Sequence, residues 1–175
     1  MKMSLSERFR SLYQDPFAAV KGMGVSGGLR VADVGAGRGY LTVPAAMVVG
    51  SGGLVYSIEP DATKSETIRR RAASESLDNV KVLTTTAERM TEIPPGDVDL
   101  AFSVFSAHHF ADRETALGEI GRILRDGGLF YVWDRVPNRI TKHGTRQDEL
   151  EAMRSGFSRF ESLSTRRTVR GRFTK

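Results

Sequence analysis

The sequence predicts an α/β fold in which a parallel sheet carries helices on both faces. Three observations predict it. Short apolar runs alternate with helical patterns along most of the chain, and such alternation implies parallel strands joined by right-handed crossovers. The first run, Leu29 to Val34, turns into a helical stretch through three glycines at alternate positions, Gly35, Gly37 and Gly39. A later run, Leu129-Phe-Tyr-Val-Trp133, is apolar throughout, as a strand covered on both faces must be.

In chain order, Ser4-x-x-Glu7 is a capping box for a helix through Phe9 and Leu12 towards Tyr13, and Pro16 restarts a second one to about Met23. This arm has no partner strand and is expected across the carboxyl edge of the sheet. There Tyr13 and Phe17 would either close over a ligand or cover the core. The glycine turn leads into a helix over Tyr40–Val49, and Gly50-Ser-Gly-Gly53 breaks it. Leu54 to Ile58 is the second strand, ending in Glu59-Pro60-Asp61, where Asp61 is expected to help start the next helix. Thr63-x-x-Glu66 opens a helix to about Ser76, with Ile68, Ala72 and Leu77 inward. Val80 to Thr84 and Val98 to Phe102 are the third and fourth strands, and the fourth delivers Ser103–Phe110 onto the carboxyl edge. Asp112 caps an amphipathic helix with Ala116, Leu117, Ile120, Ile123 and Leu124 at helical spacing, which Asp126-Gly-Gly128 closes as a left-handed cap. After the fifth strand, Thr145-x-x-Asp148 starts a helix over Asp148–Ser155 that Gly156 stops. A sixth strand within Phe157–Val169 and a seventh around Arg170–Phe173 make a terminal hairpin. The 175 residues fit one domain: an arm (1–28), a ligand-binding core (29–135) and a C-terminal helix and hairpin (136–175).

Composition bounds the function. Apolar content of 39% and charged content of 27% are those of a globular chain. No apolar run approaches a membrane span, and Met1–Glu7 lacks the apolar centre of a signal peptide, so the expected location is the cytoplasm, without membrane. With no cysteine there is no disulfide framework and no thiolate metal site, and none of the three histidines sits in a metal-ligand cluster. The net charge of +5 is uneven: residues 135–175 hold eleven Lys or Arg against four Asp or Glu. Without aromatic residues interleaved, that excess reads first as a solvated hairpin and second as an anion or nucleic-acid face.

The chemistry sits at the strand ends. A glycine turn lets backbone approach a ligand closely and aims the first N–H groups of the following helix at it. Asp33, just inside the strand end, would repel a phosphate but suits a cationic amino group. Glu59 lies at the end of the next strand, some two dozen positions on, where a carboxylate can grip a ribose diol. Pro60 then offers a flat apolar face beside a base.

Together Val31-Ala-Asp-Val-Gly-Ala-Gly-Arg-Gly-Tyr40, Val55-Tyr-Ser-Ile-Glu59, Asp99-Leu-Ala-Phe-Ser103 with Ala107-His-His109, and Leu124-Arg-Asp-Gly-Gly128 resemble the motifs of class I S-adenosylmethionine-dependent methyltransferases. The resemblance covers about residues 29–135 and is to the small-molecule type typified by ubiquinone/menaquinone-pathway C-methyltransferases. It implies a Rossmann-like seven-stranded sheet, six strands parallel and one antiparallel. It implies S-adenosylmethionine as cofactor and S-adenosylhomocysteine as product, with the methionine portion on Asp33, Gly35, Ala36, Gly37 and Gly39 and the ribose on Glu59 and Pro60. Ser103 and Tyr13 join that set. The adenine would meet the turn after the third strand, where Thr86, Ala87 and Glu88 stand in place of the usual Asp. His109 or His108 is the candidate base if the acceptor must lose a proton.

Absences narrow the acceptor. There is no Asn/Asp-Pro-Pro-aromatic sequence after the fourth strand and no Lys-Asp-Lys-Glu arrangement, which disfavours base amines and ribose 2′-hydroxyls. Lack of cysteine excludes cysteine-dependent methyl transfer. A small-molecule acceptor is the leading expectation. RNA or another anionic substrate, a non-catalytic S-adenosylmethionine-binding protein, and a nicotinamide-dependent oxidoreductase are the alternatives, and the oligomeric state is left open.

Overall fold

The computed structural model describes residues 15–137, 144–165 and 168–175. The helix expected from Ser4, together with Tyr13 and His143, lies outside them. Seven strands form one sheet in the order β3-β2-β1-β4-β5-β7-β6. The strands are β1 (Arg30–Val34), β2 (Leu54–Ile58), β3 (Val80–Leu83), β4 (Val98–Val104), β5 (Leu124–Arg135), β6 (Arg159–Ser162) and β7 (Thr168–Thr174). Neighbours from β3 through β5 are parallel, and β7 runs antiparallel to both β5 and β6. Six strands therefore share one direction, and β7 opposes them.

Helices lie on both faces. On one, α1 (Pro16–Gly22) packs against α2 (Thr42–Val49), and α3 (Ala62–Ser74) packs beside β3. Their core includes Val20, Val31, Ala45, Leu100 and Phe102. On the other, α4 (Arg113–Ile123) and the short α5 (Gln147–Ala152) cover β5 and β7. Ile120, Ile123, Phe130, Leu150 and Phe173 fill that side. The five positions expected to face inward from α4 (Ala116, Leu117, Ile120, Ile123 and Leu124) are all buried.

Local chemistry moves three boundaries. The cap of α3 is Asp61, whose carboxylate accepts from the N–H groups of Thr63 and Lys64, so the helix starts before the Thr63-x-x-Glu66 box. Asp126-Gly-Gly128 does not cap α4. The chain passes from Ile123 straight into β5, with Leu124 extended. The register to β4 then jumps from Val98↔Leu124 to Leu100↔Leu129, so residues 125–128 form a bulge with Gly127 at φ +73°. Lys175 fastens that bulge through backbone bonds to Gly127 and Gly128. The sixth strand occupies only Arg159–Ser162 of the expected range, and Thr168 and Val169 belong to β7. No helix among the described residues is long and apolar enough to cross a membrane.

Candidate cofactor and acceptor site

Strand order reverses between β1 and β4, and open α/β sheets bind ligands at the carboxyl ends beside such a reversal. A cleft of about 570 Å³ opens there, within the about 300–1,000 Å³ usual for small-molecule sites. Its walls come from the turns after β1, β2, β3 and β4. Of the residues expected to hold cofactor, Asp33, Gly35, Ala36, Gly37, Glu59, Pro60, Thr86, Ala87 and Glu88 line it, as does His109. Gly39, Ser103 and His108 are not among the lining residues, and Phe17, 41% exposed on α1, is not either.

The β1 turn is tight for a steric reason. Gly35 has φ +80°, and a Cβ there would come within 2.5 Å of the Ser106 Cβ. Ser106 cannot retreat easily, because its hydroxyl donates to the Val34 carbonyl at 2.9 Å and meets the Ser103 hydroxyl at 2.7 Å. The fully buried Ser103 thus braces the loop after β4 instead of facing the cleft. Gly39 allows close packing on α3, since its Cβ would meet Ile68 at 3.1 Å. Asp33 is 3% exposed, and one oxygen accepts the Thr42 hydroxyl at 2.7 Å. Thr42 opens α2, which has no side-chain cap, so its hydroxyl serves the carboxylate rather than the helix.

Glu59 is 5% exposed and lines the same cleft. One oxygen accepts the Gly37 N–H at 2.9 Å, and the other accepts the Asp61 N–H at 3.1 Å and faces the Lys64 ammonium at 3.4 Å. The bond to Gly37 ties the second strand's acid to the glycine turn. Two buried carboxylates on adjacent strands therefore face one cavity, spanned by a backbone turn. These two carboxylate acceptors fit a ligand with an ammonium at one end and a vicinal diol further along.

The third wall is latched to the fourth. Glu88 accepts the N–H groups of Ala111 and Asp112 at 2.8 and 3.2 Å. Burial opposes its charge, but the Thr86 hydroxyl and those backbone donors outweigh it and hold the carboxyl below its ordinary range. Glu88 is thereby committed to the loop. The Ala87 backbone, and the Thr86 hydroxyl oxygen as an acceptor, remain as the polar groups at this wall. A depressed pKa stabilises the fold above the unfolded value and loses that contribution as pH falls through the folded one. Glu88→Gln is thus expected to lower the urea midpoint at neutral pH and to converge with the parent in acid. A gap unchanged by pH would refute the latch.

The loop after β4 places Phe105, an aromatic face the sequence offers for the cationic methyl, and carries three features that sequence reasoning missed: the conformation of Phe105, the partner of His108 and the contact between the two imidazoles. Phe105 lines the cleft with φ +56°, a conformation that costs a bulky residue about 1–3 kcal/mol. Its N–H donates to the Trp133 carbonyl at 2.7 Å, so pairing with β5 enforces it. His108 Nδ1 lies 2.7 Å from a carboxylate oxygen of the fully buried Asp134, which also accepts the Thr145 hydroxyl at 2.9 Å. The two imidazoles lie 3.9 Å apart, with His109 on the cleft side. Nothing local marks Asp134 as a histidine partner. An acid at a strand's carboxyl end was the available signal, as it was for Glu59.

Comparisons with known proteins agree with this geometry. The family profile described as a methyltransferase domain matches residues 32–132. Over 143 residues the chain is 32% identical to the uncharacterized methyltransferase YcgJ of Bacillus subtilis (strain 168), covering 77% of this chain and 54% of that one. Over 101 residues it is 35% identical to aklanonic acid methyltransferase DauC of Streptomyces sp. (strain C5), covering 58% and 46%. The chain spans about half the length of the curated relatives it matches. A crystal structure of a SAM-dependent methyltransferase from Aquifex aeolicus shares the fold, with a TM-score of 0.81 at 20% identity over 99% of each chain. With the profile matching more than half its length, this chain belongs to the class I S-adenosylmethionine-dependent methyltransferase family.

Proposed function

We propose that the chain transfers a methyl group from S-adenosylmethionine to a small-molecule acceptor. The observation that carries this reading is the pair of buried carboxylates, Asp33 and Glu59, on one cleft with the glycine turn between them. Asp33 would accept from the ammonium of the methionine portion, and Glu59 from the ribose hydroxyls. Pro60 would lie against the base, and the Thr86 hydroxyl or the Ala87 N–H would meet its polar edge. When bound, S-adenosylmethionine supplies an electrophilic methyl on a sulfonium. The chain need not supply a nucleophile. It aligns the acceptor and excludes water, which together remove much of the barrier to a displacement. The small-molecule assignment is supported by DauC, whose name gives aklanonic acid as its substrate.

Where the acceptor must lose a proton, the His108–His109 pair would take it: His109 lines the cleft, and Asp134 holds Nδ1 of His108 behind it, the arrangement of an oriented base. His108→Ala and Asp134→Asn are each expected to lower kcat by about 10²-fold or more on a hydroxyl acceptor, with S-adenosylhomocysteine affinity unchanged. A parent-like pH–rate profile in Asp134→Asn would remove His108 from this role. Methyl-labelled S-adenosylmethionine, incubated with a panel of phenols, carboxylic acids and amines, tests the whole reading. Labelled product is expected from a small molecule; label appearing only in added RNA would overturn it.

A further inference from the structure

The cofactor cleft uses one side of the Phe105 loop, and the other side carries a cluster that methyl transfer by itself does not require. The helices covering β5 and β7, α4 and α5, pack on one face of the sheet. On the opposite face these strands alternate aromatic and cationic side chains, because the antiparallel register places Arg170 beside Trp133 and Arg172 beside Tyr131. The excess positive charge of the C-terminal part therefore does meet aromatic residues, supplied by a strand earlier in the chain.

The row adjoins the cleft through Phe105. The Arg170 guanidinium lies 3.8 Å above the centre of the Trp133 ring. That ring is 6.0 Å from Phe105, which lines the cleft, and the exposed Arg135 lies 5.2 Å over Phe105. Neither Arg135 nor Arg170 is ion-paired with a carboxylate among the described residues, whereas Arg172 has Glu161 at 3.6 Å. Most telling are two N–H groups. Among the described residues, Trp133 Nε1 and Arg170 Nε are both buried and have no hydrogen-bond partner. A third such atom, Arg113 Nε, lies apart at the start of α4. Each buried donor left without an acceptor costs about 1–3 kcal/mol, and here two of them sit on stacked side chains.

We propose that this row is the acceptor subsite and that it takes a planar aromatic molecule carrying a carboxylate. The ring packs against Phe105 and Trp133. The carboxylate accepts from Trp133 Nε1 and Arg170 Nε, with Arg135 adding charge at the open end. A carboxylate offers two coplanar oxygens to two donors, and charge-assisted bonds of this kind are about twice as strong as neutral ones. The assignment rests on the methyl-transfer reading of the adjacent cleft, since it names what that cleft's acceptor is.

Trp133 is the chain's single tryptophan, so its indole N–H gives one identifiable signal in a proton–nitrogen correlation spectrum. The test titrates the labelled chain, saturated with S-adenosylhomocysteine, with 2-naphthoate and with its neutral isostere 2-naphthamide. The indole proton is expected to move downfield saturably with the acid, and the amide should bind about tenfold more weakly or worse. Arg170→Gln should weaken naphthoate by about tenfold, and the exposed Arg135→Gln by about two- to fivefold. Both variants should keep S-adenosylhomocysteine affinity. If Arg170→Gln disturbs the fold, Arg135→Gln decides. An unmoved indole signal, or equal affinity for acid and amide, overturns the subsite and leaves the cleft intact. Failure of S-adenosylhomocysteine to bind at all overturns the methyl-transfer reading, and this proposal with it.

Discussion

Gly35→Val is expected to damage both stability and cofactor binding, and to do so more than any other single change in the glycine turn. At φ +80° a side chain enters the left-handed region, which costs an L-residue about 1–2 kcal/mol. Its Cβ would also overlap Ser106, which is pinned by the Val34 carbonyl and the Ser103 hydroxyl. Overpacking of a well-braced site adds about 1–3 kcal/mol. Together these should lower the melting temperature by about 10 °C, at about 2–4 °C per kcal/mol for a chain of this size. The relief would come from the loop after β4 moving away from β1, which opens the cleft, so S-adenosylhomocysteine affinity should fall as well. Gly118→Ala is the matched control. That glycine lies on the exposed side of α4, and a Cβ there meets nothing, so a gain of up to about 1 kcal/mol is expected. Thermal melts of the two variants check the pair. Equal melting temperatures would show that the turn tolerates a side chain and that its glycines are incidental.

Glu59→Ala is expected to weaken S-adenosylhomocysteine binding by about 10–100-fold, since each hydrogen bond to a charged group contributes about 1.5–3 kcal/mol. The change acts twice. It removes the acceptor assigned to the ribose, and it frees the Gly37 N–H, so the turn loses its tie to β2. Glu59→Gln separates the two effects. The amide oxygen can still accept from Gly37, but the charge is gone, so an intermediate loss of affinity is expected. Asp33→Asn should act at the other end of the ligand, with a loss of about tenfold. It should matter more for ligands that keep the amino group than for adenosine alone. Calorimetry with S-adenosylhomocysteine and adenosine checks all three. If Glu59→Ala bound both ligands as the parent does, the ribose would have to be placed elsewhere.

The parts of this structure legible in the sequence are those set by local patterning. β2 occupies Leu54–Ile58 as the apolar run indicates, and α4 shows the burial that its period-3.6 spacing dictates. Asp33 and Glu59 were legible as acids at the carboxyl ends of adjacent strands, and both are buried and line the cleft. What the sequence hid depends on register. His108 and Asp134 are 26 positions apart and meet only because β4 and β5 are neighbours. Trp133 and Arg170 meet through an antiparallel pairing that no local pattern specifies. Phe105 gave no warning of its positive φ, because bulky residues are not the usual mark of that conformation. Residues 126–128 read as a helix cap since Asp-Gly-Gly suits one. In the structure they bulge out of β5, and Arg125 reaches back to Asp99 at 2.6 Å.

The central claim is that two buried carboxylates and the glycine turn between them hold a sulfonium nucleoside. The most direct measurement is a calorimetric titration of the purified chain with S-adenosylhomocysteine, repeated in the presence of excess NAD. One saturable site per chain, undiminished by NAD, is the expected result. No binding of S-adenosylhomocysteine, or its displacement by NAD, would contradict the assignment of Asp33 and Glu59.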